Sequence, residues 1–495
     1  MTTVNQTQIL QGRVPNLLKS EDWWAVWIGF FISLLGAGQI WNTDLLGWVS
    51  QYGTWLNPGK AIQANSQAYA ALGGIGSAIA TYIFILIITA VGAYFMGSNI
   101  RKFIIGFTFI YWFTAITNVL GNYAYLAATP SNRDNFGISW SLSLGELGFV
   151  FALIAGLIIS NFFPKLTDFL SSAAKPEWYI KTGIVILGMN IGIQTIGALS
   201  LAGTVIVRGI CAVIEAYLIY WPVVYFVARK YFKFTPEWAA PLASGISICG
   251  VAAAIATGSA IRSRTIIPTI LASVIIVFVA FELLVLPFVA SNFLVSEPMV
   301  AGSWLGLVVK SDGGAVASGA VADTLIRNNA FAQYGIQYQE GWVLMATTTA
   351  KLFIDVFIGI WAFILAAIWS IYHLNDKNDI QTGTYSISKK EIWQRFPKFI
   401  IGFVVTFLVI FLAGAYEPEI VKAAKAGAGQ ANLLRSVFFG LCFFSIGLIT
   451  NVRKLWHAGL GRVIGVYVVA LFGFIIWVGL FISWLFYHGI VPPTV

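Results

Sequence analysis

The sequence predicts an all-α polytopic membrane protein, an inverted-repeat transporter of about 11–13 membrane segments with two broken or re-entrant helical hairpins. Three observations predict it. Apolar residues make up 58% of 495 and charged residues only 10%, with a mean hydropathy of +0.82, whereas a soluble domain carries ~25% charge. Apolar stretches recur along the whole chain, most near the ~20 residues that cross ~30 Å of hydrocarbon as helix. Two of them, 239–261 and 301–326, are interrupted at their centres by Gly, Ser and charged residues. Backbone breaks at membrane depth are tolerated only where they are buried in protein or line a cavity.

Taken in order, the apolar stretches run roughly 23–41, 74–97, 103–126, 142–162, 178–199, 202–228, 239–261, 266–290, 301–326, 342–372, 398–416, 432–450 and 461–487. Aromatic pairs mark several ends, among them Trp23-Trp24, Tyr111-Trp112, Trp178-Tyr179 and Tyr220-Trp221, as interfacial belts do. Residues 1–22 are polar and mixed in charge, so they read as a cytoplasmic tail before a retained anchor. Residues 23–487 read as one transmembrane domain, 373–398 as a cytoplasmic connector, 416–431 as a solvated outer loop or surface helix, and 488–495 as a C-terminal tail.

Composition narrows the chemistry. The 29 Lys and Arg outnumber the 20 Asp and Glu, and their excess falls on loops rather than on one basic face, so no nucleic-acid partner is expected. Cys211, Cys249 and Cys442 lie in apolar stretches without metal-ligand spacing, and His373, His457 and His488 lie at or beyond span ends. Neither a disulfide framework nor a metal site is expected. No nucleotide-binding loop, cofactor motif or nucleophile–base pair is present, so the expectation is a non-enzymatic protein without cofactor.

Loop charges bear on the two interrupted stretches. With a cytoplasmic N-terminus, Arg101-Lys102, Lys165, Lys175, Arg229-Lys230 and Lys233 all fall inside. If 239–261 crossed the membrane, Arg262 and Arg264 would fall outside and Glu297 inside, against the positive-inside rule. If both stretches are re-entrant, every loop obeys the rule, and the hairpin reading is preferred over that of crossing but broken helices. The first hairpin then enters from the cytoplasm and the second from outside, as an inverted repeat produces. Ile186-Leu187-Gly188-Met189-Asn190 echoes weakly as Ser445-Ile446-Gly447-Leu448-Ile449.

The residues in the breaks fit a small anion. A helix that starts in mid-membrane offers unpaired N–H groups and a positive dipole end. Gly245, Gly250, Gly313 and Gly314 allow close backbone approach, and Ser244, Ser247 and Ser311 add hydroxyl donors, with Cys249 beside them. The same small residues also suit plain helix packing. Packing does not explain Lys310 and Asp312, since an ionisable side chain at membrane depth costs at least ~2.5 kcal/mol. Lys310 is expected either to neutralise an anionic substrate or to pair structurally. Asp312, Lys351, Asp355 and Glu282 are candidates for a coupling H⁺ or Na⁺. Lys351 and Asp355, at i and i+4, can also pair with each other. Arg208 and Glu215 lie two turns apart on one helical face and read as a structural pair through a neighbour. Asn190 and Gln194 are cavity-lining candidates, with interhelical hydrogen bonding as the alternative; Asn118 and Asn122 form a similar pair.

A family resemblance joins these motifs. Gly245-Ile246-Ser247-Ile248-Cys249-Gly250 resembles the Gly-x-Ser-Ile-Cys-Gly motif of the YeiH-type sulfate exporter family. Gly183-Ile184-Val185-Ile186-Leu187-Gly188 is similar to that family's preceding helix, Gly302-Ser303-Trp304-Leu305-Gly306 to its second motif, and Lys351 to a lysine that follows it. Glu21-Asp22-Trp23-Trp24-Ala25-Val26-Trp27, Arg395-Phe396-Pro397-Lys398 and Phe444-Ser445-Ile446-Gly447 look like one branch of the family. Where many members carry His-Glu and Gln in the second motif, this chain has Lys310-Ser311 and Gly314, and Ala252 replaces a common small polar residue. The resemblance implies the architecture of the cation:proton antiporter and anion transporter superfamily, and sulfate or an organosulfonate as substrate class.

The expected function is therefore secondary active transport, as exporter or exchanger, of a small anion between two discontinuous helices in a bacterial inner membrane. The partners expected are that anion, a coupling H⁺ or Na⁺, the lipid bilayer and, as an assembly the sequence leaves open, a second copy. An anion channel and the ion-translocating subunit of a membrane enzyme complex are the alternatives.

Overall fold

The computed structural model describes residues 17–128, 133–142, 147–197, 199–261, 263–264, 266–372, 397–451 and 460–495. Arg262 and loop 373–396 lie outside the described residues, as do the placements of Gly313 and of the Gln194 and Asp312 side chains. Among the described residues nine helices are long and apolar enough to cross a membrane. Beta structure described there is one short antiparallel pair, Ser50–Tyr52 with Ile62–Ala64, and two isolated bridges, Trp55 with Tyr123 and Tyr338 with Thr494.

The helices form two bundles. In the first, Pro176–Gly197 is wrapped by Glu21–Ala37, Lys398–Tyr416 and Val421–Ile449. Small residues set this packing: a Cβ on Gly188 would fall 2.4 Å from Phe403 O, and one on Gly183 would fall 2.5 Å from the Phe439 ring. Thr406 Oγ1 donates to Val185 O at 2.7 Å, fastening two helices of the bundle. Pro176–Gly197 and Val421–Ile449 run antiparallel: Glu21–Ala37 starts beside Lys181 and ends beside Gly427, whereas Tyr179 meets Phe438. The helix expected at 432–450 begins eleven residues earlier, at Val421, so most of 416–431 is helix. Leu147–Phe162 ends in a 120° turn into Pro164–Leu170, where Pro164 removes a backbone donor.

The second bundle holds both interrupted stretches, and both are hairpins. The first runs Pro236–Ser247 and returns as Val251–Ala260. Its arms fold back on each other: Thr257 Oγ1 donates to Ser244 Oγ at 2.6 Å, and at the open end Arg264 N–H donates to Glu237 Oε1 at 2.7 Å. A crossing helix would hold Glu237 and Arg264 on opposite faces of the membrane. The second hairpin runs Pro298–Val308 and returns as Asp312–Tyr334, longer on both sides than the stretch 301–326. Gly302 O accepts from Thr347 Oγ1 at 2.8 Å, and a Cβ on Gly319 would fall 2.6 Å from that same hydroxyl.

Helix Ile266–Phe293 links the open ends of the two hairpins. Its 28 residues span about 42 Å at 1.5 Å per residue, enough to cross the membrane. The first hairpin's open end lies at its start. The second's lies at its finish, where Asn329 Nδ2 donates to Ser291 O at 2.6 Å. Both tips meet its middle: Gly250 packs on Ile275, Gly314 on Val279, and Lys310 N–H donates to Glu282 Oε2 at 3.0 Å. The hairpins therefore enter from opposite faces and meet halfway.

Candidate functional site

Local sequence makes each tip. Pro236 and Pro298 start the entering arms at the first helical turn, where a missing N–H costs nothing. The first arm ends because Ile248 leaves helical geometry at φ −105, ψ −93, and Gly250 turns the chain at φ +71. The second arm ends at extended Val309 and Ser311. Ser311 then caps the returning helix, its Oγ accepting from Gly314 N at 3.2 Å.

The two tips are in direct contact. A Cβ on Gly250 would lie 2.2 Å from Lys310 O, so only glycine lets the backbones approach this closely. Gly245 packs on Ile275 and Ala254 inside the first hairpin. Gly245, Ser247 and Gly250 of the first motif thus lie together with Lys310, Ser311 and Gly314 of the second. Ser244, Ser247 and Lys310 are fully buried, Cys249 nearly so, and Ser311 half-buried.

Two lysines serve the tips. Lys351 Nζ donates to Ile248 O at 2.8 Å. Lys310 Nζ donates to Leu307 O and, at 3.5 Å, to Ser247 O. These carbonyls lie at the C-terminal ends of the entering arms, where helix carbonyls lack intrahelical donors and carry partial negative charge. Lys310 Nζ also sits 4.6 Å from the centre of the Tyr220 ring, a cation–π contact. The ammonium groups therefore neutralise two converging helix ends in this conformation.

The acidic candidates divide. Glu282 belongs to the cluster, accepting from Lys310 N–H and from Tyr467 OH at 3.3 Å. Asp355 is fully buried one turn beyond Lys351. Asp312 opens the returning helix. Ser244 ties the arms of its hairpin to each other and to helix Trp221–Lys230, its Oγ accepting from Thr257 and from Trp221 Nε1 at 2.8 Å. Ser247 Oγ is buried and has no partner among the described residues. Asn190 is half-buried on Pro176–Gly197, a helix that packs against Asp312–Tyr334. Asn122 Nδ2 donates to Asn118 O at 2.8 Å within its own helix, not between helices.

Sequence reasoning missed Tyr467 and Thr257, read Trp221 as an interfacial aromatic, and read Glu215 as a structural partner of Arg208. The first three carry no periodic signal that separates them from an apolar span. Arg208 donates to Phe486 O, and Gly479, two turns earlier on Ile476–Tyr487, lies beside Glu215, so the two have that helix as a common neighbour. The Glu215 carboxylate turns toward Tyr220 and the Lys310 tip. Among the described residues no group of three His, Cys, Asp or Glu could hold a metal ion.

Fold and cluster define a polytopic helical membrane protein with two opposed re-entrant hairpins. The family described as Conserved hypothetical protein 698 matches residues 138–466, which include both hairpins. The chain is 39% identical to the UPF0324 membrane protein NE0724 of Nitrosomonas europaea, over 97% of this chain and 98% of that one. It is 31% identical to the UPF0324 membrane protein RB9488 of Rhodopirellula baltica, over 62% of this chain and 51% of that one. An uncharacterized protein of Archaeoglobus fulgidus is 43% identical over 30% of this chain and 88% of its own length. No solved structure matches. The chain belongs to the UPF0324 family of membrane proteins, which is the YeiH-type family.

Proposed function

We propose that this protein is a secondary transporter of a small anion, of the sulfate or organosulfonate class, working by alternating access with the ligand between the hairpin tips. The observation that carries the reading is the meeting of Gly250 and Lys310 halfway along Ile266–Phe293. Opposed hairpins that meet at mid-depth suit a site reached from either face in turn, and the ammonium groups of Lys310 and Lys351 at the tips suit an anion. An anion entering the tips competes with backbone carbonyls for those ammoniums, and the starts of Val251–Ala260 and Asp312–Tyr334 offer it amide dipoles. The hairpin bundle moves against the other bundle. The face carrying Arg101, Lys102, Arg229 and Lys230 is cytoplasmic by the positive-inside rule, in a bacterial inner membrane.

The test is reconstitution into liposomes with labelled sulfate, sulfite, sulfonates and carboxylates, with and without H⁺ or Na⁺ gradients. Saturable uptake of at least one is expected; uptake of none under any gradient rejects the carrier reading. Flux at rates beyond a carrier, without saturation, would favour a channel instead.

A further inference from the structure

We propose that Glu215 is the proton site of this protein, and that it exchanges its proton against the ammonium of Lys310 when the hairpin tips separate. This deepens the carrier reading and rests on it for its role in coupling. Glu215 is fully buried, and neither of its carboxylate oxygens meets hydrogen-bond geometry among the described residues, since the Tyr220 hydroxyl beside it donates to Ile475 O. The other buried carboxylate beside Lys310, that of Glu282, accepts two donors. A charged carboxylate held in a membrane protein without donors is costly, and the cost vanishes when it carries a proton or gains a cation.

The surroundings are built around this group. Glu215 lies on a π-helical segment, Ile214–Tyr220, and a second π-helical segment, Leu471–Ile475, faces it. π-bulges occur often at functional sites. Tyr220 joins the two, its OH donating to Ile475 O at 2.7 Å. Gly479 leaves the room: a Cβ there would fall 2.7 Å from Tyr220 OH, 3.2 Å from Glu215 Oε1 and 3.0 Å from Val308. Val308 ends the entering arm two residues before Lys310. The titratable and charged groups around Glu215 are Tyr220, Cys211 and Lys310, and those around Lys310 are Glu215, Glu282 and Lys351. Lys310 over the Tyr220 ring is therefore one side chain away from Glu215.

The step balances simply. With the tips closed, Glu215 carries a proton and Lys310 donates to the carbonyls of Ser247 and Leu307. When separation of the tips takes those carbonyls away, Lys310 pairs with Glu215. The Glu215 O–H bond breaks and one proton leaves to water on the open side. Tip closure reverses both events.

Infrared difference spectroscopy on the full chain in lipid tests this without a transport substrate. A carboxylic-acid C=O band should fade as pH rises, be lost in Glu215→Gln and be retained in Glu282→Gln. In Lys310→Met, which removes the exchanging cation, the Glu215 band should persist to higher pH than in the unaltered chain. A band absent at every pH, one unchanged in Glu215→Gln, or one that titrates alike with and without Lys310 overturns the proposal. Circular dichroism of each variant in detergent controls for folding, and the isosteric Gln keeps the volume. In liposomes loaded with a pH dye, sulfate counterflow should drive proton movement in the unaltered chain and lose it in Glu215→Gln. The infrared result judges Glu215 and sulfate flux judges the carrier reading, so either can fail alone.

Discussion

Gly250 and Lys310 hold the two hairpins tip to tip: a single methyl group on Gly250 would fall 2.2 Å from the Lys310 carbonyl oxygen. Gly250→Ala is expected to destabilise by at least ~1–2 kcal/mol from its left-handed backbone alone, before the displaced tip is counted. Gly203→Ala is the control, since a Cβ there meets open space in mid-helix. It should be neutral or stabilising by up to ~1 kcal/mol. Denaturant unfolding in detergent compares the two, and equal midpoints would reject the contact.

Lys351 should matter for the first tip even without substrate. Lys351→Met removes the charged donor to the buried Ile248 carbonyl, a loss of ~1.5–3 kcal/mol for a bond to a charged group. Hydrogen exchange of peptides covering 245–250 should speed up in this variant while Val421–Ile449 stays protected. Unchanged exchange at the tip would show that the ammonium does not hold it.

Lys310→Ala should weaken anion binding by about tenfold or more, the equivalent of ~1.4 kcal/mol. The measurement is concentration-dependent uptake of whichever labelled anion the liposome screen identifies. Unaltered half-saturation would remove Lys310 from the ligand.

Asp323 is a cap that sequence periodicity does not single out. Its carboxylate accepts from Gly341 N and Val343 N at 3.0 and 2.9 Å, and pairs with Arg327 at 3.0 Å. It thereby fixes the start of Trp342–Val356, the helix that carries Lys351. Asp323→Ala should cost about 2 kcal/mol, the upper end for lost caps, and open the 335–341 turn to protease. A digestion pattern like that of the unaltered chain would contradict this role.

The hairpin topology has a direct test. With Cys211, Cys249 and Cys442 replaced by serine, Arg264→Cys and Gln337→Cys, both at exposed positions, should react with an impermeant thiol reagent from opposite faces. Labelling of both from one side would overturn the opposed arrangement.

Much of this architecture was legible because charge constrains membrane topology strongly. Moving Arg264 across the bilayer would have broken the positive-inside rule, and in the structure it closes on Glu237. Lys310, Lys351 and Glu282 stood out because charge inside an apolar span demands a partner, and all three join the tips. Arg208 and Glu215 do share a face, since Phe486 beside the one and Gly479 beside the other lie two turns apart on Ile476–Tyr487. What the spacing does not carry is the approach of the second hairpin, whose Val308 meets Gly479 beside Glu215. The three-residue strands at Ser50–Tyr52 and Ile62–Ala64 are too short for alternation to register.

Helix Ile266–Phe293 has a mechanical consequence. It is anchored at each end to the mouth of a different hairpin and touches both tips near its centre. Tilting a rod fastened in this way would lift one mouth while pressing down the other, as on a seesaw. The two hairpins therefore share one lever, and the seam at Gly250 and Lys310 sits at its fulcrum.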